Sequence, residues 1–145
     1  MSLLQLCDEE PAVVHAATTA ADAINLMLAR HVGAVCVTDD GGVVAGVFSE
    51  RDVLRKLALS GRDPHKTPVR ELMTSEVVLA TKATTEGEAL ATMLERHFRH
   101  LPIVDDQGRL LGMLSIRNLL QARVDELTQR LDTMEQYVTN DAPGG

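Results

Sequence analysis

Gly46-Val47-Phe48-Ser49-Glu50-Arg51-Asp52 returns 66 residues later as Gly112-Met113-Leu114-Ser115-Ile116-Arg117-Asn118. Worked outward at that shift, residues 3–54 align with 69–120 without a gap. Identities include Leu6/Leu72, Thr19/Thr85, Met27/Met93, Arg30/Arg96 and His31/His97 upstream, then Asp39/Asp105 and Gly42/Gly108 closer to the shared segment. A self-match at one fixed spacing marks a duplicated supersecondary unit.

Each copy reads as a helical turn, a strand, a helix, a hairpin and a helix, giving an α+β chain of two β-α-β-β-α units. In copy two, Thr67-Pro68 opens a turn through Leu72, and residues 77–80 are expected to form a strand. Thr85-Glu86-Gly87-Glu88 has the capping-box pattern, and Ala89, Leu90, Met93, Leu94 and Phe98 then follow at helical spacing. Copy one starts its helix at Thr19, and Gly33 is the expected helix breaker. Residues 35–37 and 43–48 flank Asp39-Asp40-Gly41-Gly42, and 101–104 and 109–114 flank Asp105-Asp106-Gln107-Gly108, as two hairpins. A unit of about 60 residues is marginal alone, so the copies are expected to pack as a pseudo-twofold pair. The expected division is repeat 1 over 1–60, a linker over 61–67, repeat 2 over 68–122, a helical extension over 123–139 and a disordered tail over 140–145.

Both shared segments end a strand and open a helix. Ser49 and Ser115 can cap the first helical turn, with Asp52 and Asn118 three positions on. Equally, such a junction presents unpaired amides and a positive dipole end suited to a phosphate or sugar, with Asp52 accepting two ribose hydroxyls. Gly46 and Gly112 admit close approach to the backbone in both copies. Capping and ligand binding both remain open on these residues.

Composition narrows the classes. A net charge of −7 disfavours a nucleic-acid binder, and three aromatic residues, Phe48, Phe98 and Tyr137, leave little for base stacking. The longest uncharged apolar stretch, 32–37, is far short of the ~20 residues that span a bilayer. The N-terminus lacks a basic region before Asp8, so no membrane association and a cytoplasmic location are expected. Cys7 and Cys36 have no metal or redox spacing and read as structural. Residues 61–67 nearly fit a P-loop, but His65 stands where its second glycine belongs. His97 and His100 lack a third metal ligand, and no nucleophile-base or paired-carboxylate constellation assembles, so neither metal nor catalysis is expected. His31 and His97, at corresponding helix ends, read as structural.

The chain resembles the cystathionine-β-synthase (CBS) domain family, whose members occur as tandem pairs called Bateman modules. The resemblance rests on Val69-Arg70-Glu71-Leu72-Met73-Thr74, on Arg99-His100-Leu101-Pro102-Ile103-Val104-Asp105, and on the two Gly-x-x-Ser-x-x-Asp/Asn junctions. It is nearest to the short stand-alone pairs of bacteria. It implies a non-enzymatic sensor whose clefts hold AMP, ADP, ATP or the adenosine half of NAD. One site would use Ser49 and Asp52 with backbone from Thr81 to Ala83 and from Arg99 to Leu101. The other would use Ser115, Arg117 and Asn118 with Ala16 to Thr18, Gly33 and Ala34. Arg51, Arg117, Arg99 and His100 are candidate phosphate cations. Asn118 departs from the usual Asp, which implies a weaker or differently selective second site. A homodimer and a separate, unidentified regulated protein are implied as partners. The alternative is a structural homodimerisation module with degenerate nucleotide sites.

Leu120, Val124, Leu127, Leu131, Met134 and Val138 form an a/d heptad stripe beyond copy two. It serves either packing back on the module or dimerisation.

Overall fold

The computed structural model describes residues 2–8 and 10–140. Copy one contains α1 (Leu3–Leu6), β1 (Val13–His15), α2 (Ala20–Arg30), β2 (Ala34–Thr38), β3 (Val44–Ser49) and α3 (Glu50–Asp52), the last continued by a π-helical turn, Val53–Leu57. Copy two has a 3-10 turn (Val69–Glu71), α4 (Glu86–Arg96), β4 (His100–Val104), β5 (Leu110–Ser115) and α5 (Ile116–Asn140). Thr19 and Thr85 cap α2 and α4, accepting from the amides of Asp22 and Glu88. β2 lies between parallel β1 and antiparallel β3, and β4 pairs antiparallel with β5.

Two expectations need correction. The strand expected over 77–80 shrinks to one parallel bridge between Ala80 and Ile103. In copy one the Cys36 amide donates to Ala12 O, but Pro102 occupies the corresponding position and has no N–H to give. The breaker of α2 is His31 rather than Gly33. His31 and His97 sit in the left-handed region at φ 53° and 60°, closing α2 and α4 alike.

The copies interlock. At the hairpin tips the Val44 amide donates to Gly108 O and the Leu110 amide to Gly42 O, a pair related by the pseudo-twofold. Leading segments are exchanged: Val69 and Leu72 of copy two are buried in the core of copy one with Val35, Val37 and Phe48. Leu3 and Leu6 of copy one lie in the core of copy two with Leu101, Ile103 and Leu114. A third cluster, with Ala34, Cys36, Val47 and Met113, joins the two sheets.

Cys36 is fully buried, which pushes its thiol up to about 12, and burial beside Asp8 pushes Cys7 up to about 11. Thiolate is the reactive form. Ellman's reagent is therefore expected to leave Cys36 unlabelled in the native chain and to titrate both thiols in urea.

α5 carries the heptad stripe out into solvent, with its six residues 45% to 66% exposed, so the stripe does not fold back on the module. Of the tail expected to be disordered, Asn140 closes α5 and residues 141–145 lie outside the described residues.

Candidate functional site

The β3–α3 junction is held by its own polar groups. Ser49 has extended backbone, and Asp52, 5% exposed, lies one turn on. Asp52 Oδ2 accepts from the Ser49 amide at 2.9 Å and the Ser49 hydroxyl at 3.2 Å. Its Oδ1 accepts from the Thr74 hydroxyl at 3.0 Å and faces Lys56 Nζ at 3.3 Å. Three hydrogen-bond donors and the Lys56 ammonium thus surround one carboxylate. Through Thr74, and through Lys56 donating to Met73 O, the junction is tied to the head of copy two.

Beside the junction lies a cleft of about 620 Å³. Copy one contributes Gly33, Val47, Ser49, Glu50, Arg51, Asp52 and Arg55, and copy two Thr74, Val77, Arg96, His97, Phe98, Arg99 and His100. Four of the chain's eleven arginines line this cleft, in a chain of net charge −7. Among the described residues none of the four is in an ion pair. Arg51 Nη1 donates to His97 O at 3.4 Å, bridging the two walls. Burial, and then Arg99, lower the pKa of His100 from 6.5, against a smaller upward pull from Asp8. His100 therefore adds little to the positive charge that the four arginines bring to the cleft at neutral pH. Protonating His100, as pH falls below 6.5, works against the fold.

The second junction inverts this chemistry. Ser115 Oγ accepts from the Asn118 amide at 3.1 Å, while Asn118 Nδ2 donates to Leu6 O at 3.2 Å and Asp8 Oδ1 at 3.1 Å. Positions 8 and 74 correspond in the repeat. The contact between copies is therefore kept, with donor and acceptor exchanged: Asp52 accepts from Thr74, and Asn118 donates to Asp8.

The sequence profile described as the CBS domain matches residues 4–59 and 69–125. The chain belongs to the CBS-domain family. An uncharacterised 17.7 kDa protein of Acidianus ambivalens is 36% identical over 126 residues, 87% of this chain and 75% of that one. The mitochondrial CBS domain-containing protein CBSX3 of Arabidopsis thaliana is 34% identical over 83% of this chain and 60% of its own length. The meiotically up-regulated gene 70 protein of Schizosaccharomyces pombe is 33% identical over 98% of this chain, which spans only 20% of that relative. Among solved structures, a CBS-domain protein of Agrobacterium tumefaciens matches with TM-score 0.74 and 31% identity, covering 85% of this chain and 99% of that one. CBSX2, crystallised in complex with AMP, matches with TM-score 0.73 and 28% identity over 86% and 96%.

The fold of this CBS pair brings Ser49, Arg51, Asp52, Arg99 and His100 to one cleft. Gly33, expected with the second junction, lines this cleft instead, because its carbonyl accepts from the Glu50 amide beside Ser49. Leu101 and Ala34 are in the cores at 1% and 3% exposure. Ala83 lies in a turn, donating to Thr81 Oγ1, and does not line the cleft. The carbonyls of Ala16 and Thr18 accept from Arg70 and Val69 and so bind the head of copy two. Ser115, Arg117 and Asn118 lie outside the arginine cleft. The room at Gly46 is taken by protein: a Cβ there would sit 2.6 Å from Thr74 O. Sequence reasoning missed Thr74, Asp8, Arg55 and Arg96. The first two were visible as a compensated pair, Thr74 with Asp52 and Asp8 with Asn118, while the arginines look like ordinary helix-surface charges.

Proposed function

We propose that this CBS pair is a non-enzymatic regulatory module that binds an adenine nucleotide in the arginine-lined cleft. The carrying observation is the concentration of Arg51, Arg55, Arg96 and Arg99 around the Ser49–Asp52 junction of an otherwise acidic chain. Guanidinium forks suit phosphate oxygens. The AMP complex of CBSX2 supports an adenosine-type ligand. AMP, ADP, ATP and NAD all fit the proposal, with phosphate on the arginines and ribose toward Ser49 and Asp52. Ribose hydroxyls compete at Asp52 with the Ser49 and Thr74 donors it already holds. Displacing Thr74 loosens the contact between copies and gives ligand a differential affinity for two states. The signal then passes, in the cytoplasm, to a separate regulated protein, and the module works as a homodimer.

A thermal-shift titration of the nucleotide-stripped chain with AMP, ADP, ATP, NAD and GTP tests this. Ligand at 100 Kd stabilises by about 2.7 kcal/mol, which is roughly 5–10 °C for a chain of this size. The expected result is a saturable, adenine-selective rise, with at least about tenfold weaker binding in Arg55→Ala/Arg96→Ala. Nucleotide is expected to be recovered unchanged after prolonged incubation. Flat curves with every nucleotide would replace this reading with the structural dimerisation module.

A further inference from the structure

The geometry points to the α5 stripe pairing with a second copy of this chain as a parallel two-stranded coiled coil. This inference is independent of what the cleft binds. Leu120, Val124, Leu127, Leu131, Met134 and Val138 alternate steps of four and three along one side of α5 and are all exposed. At about 100° per residue, that side lies roughly 100° around the helix from the mean direction of Ile116, Leu119 and Ala122, which pack on the core of copy two. The seam is therefore free of its own module.

The residue choice selects both strand number and direction. Val124, Leu131 and Val138 take the a positions, and Leu120, Leu127 and Met134 the d positions. β-Branched residues at a with Leu at d favour two parallel strands over higher oligomers. Flanking charges agree. Arg123 and Arg130 take g positions, and Gln121, Thr128 and Glu135 take e positions. In a parallel pair each g residue meets the e residue of the following heptad across the seam, which brings Arg130 to Glu135 of the other copy, twice by symmetry. Arg130 already bonds Glu126 Oε1 at 2.8 Å on its own helix, so its guanidinium would bridge both carboxylates. A fully overlapped antiparallel pair instead sets Arg130 against Arg130.

Sedimentation velocity of the full chain, with disulfide trapping, tests the proposal. The wild type is expected to be dimeric, and Leu127→Glu/Leu131→Glu to raise the dimer Kd at least about 100-fold, by placing carboxylates in the seam. Both residues are exposed, and unchanged thermal melting of the module would confirm that the variant folds. Oxidation of Met134→Cys is expected to link the two introduced thiols, which a parallel seam brings face to face and an antiparallel one separates. A monomeric wild type, an unchanged Kd, or a dimer in which those thiols fail to join overturns the proposal.

Discussion

Gly46→Ala is expected to destabilise the module by about 1–3 kcal/mol, and Gly112→Ala to stay within about 1 kcal/mol of wild type. The two positions correspond in the repeat and face the exchanged head of the other copy. They differ in what waits there. A Cβ at Gly46 meets a backbone atom, Thr74 O, at 2.6 Å and Met73 Sδ at 2.8 Å. Thr74 cannot retreat, because its amide and carbonyl are both bonded to Val47 and its hydroxyl to Asp52. At Gly112 no backbone atom is among the three nearest: Cys7 Sγ at 3.1 Å and Leu4 Cδ2 at 3.3 Å move by small rotations, and Cys7 Cβ at 3.3 Å needs a shift of only a few tenths of an ångström. Removing a glycine also lowers unfolded-chain entropy, worth about 0.4–1 kcal/mol in the variant's favour. That gain offsets most of the strain at Gly112 and little of it at Gly46. Urea melts followed by circular dichroism would show the difference, and equal losses at the two sites would contradict the account of the interlock.

Much of this architecture was legible because the chain states it twice. Thr19 and Thr85 cap helices, and both hairpins fall where two copies agree. The misreadings arose where one copy was read without the other. Gly33 aligns with Arg99, so glycine was never the shared helix breaker, whereas His31 and His97 are identical and both take the left-handed cap. Pro102 aligns with Cys36 and announces a lost ladder bond in copy two. The exchange of α1 and the 3-10 turn between cores was not legible. Leu6 and Leu72 are apolar either way, and two cores of like chemistry do not say which one each serves. Arg55 and Arg96 were invisible for a related reason: a helix-surface arginine gains meaning only when another copy's wall closes over it.

The inverted junctions predict a strong non-additivity. Asp52→Asn alone removes the carboxylate opposite Lys56 and the charge accepting from Thr74 and Ser49, and is expected to cost about 1–3 kcal/mol. Thr74→Asp alone sets a second carboxylate against Asp52, which is 5% exposed, and is expected to cost about 2–3 kcal/mol. The double variant rebuilds at the first junction the Asn118–Asp8 pair that the second already uses. Lys56 keeps a carboxylate within reach, since its Nζ already lies 3.2 Å from Met73 O, next to position 74. The double variant is therefore expected to recover most of the summed loss, a coupling of about 2–3 kcal/mol. Additive losses would show that the exchange of donor and acceptor between copies is incidental. The same variants separate folding from ligand binding. If ribose needs the Asp52 carboxylate itself, the double variant regains stability yet shows weakened nucleotide-dependent stabilisation, as Asp52→Asn does. If the repaired module binds nucleotide like the wild type, Asp52 holds the two copies together and the arginines alone hold the ligand.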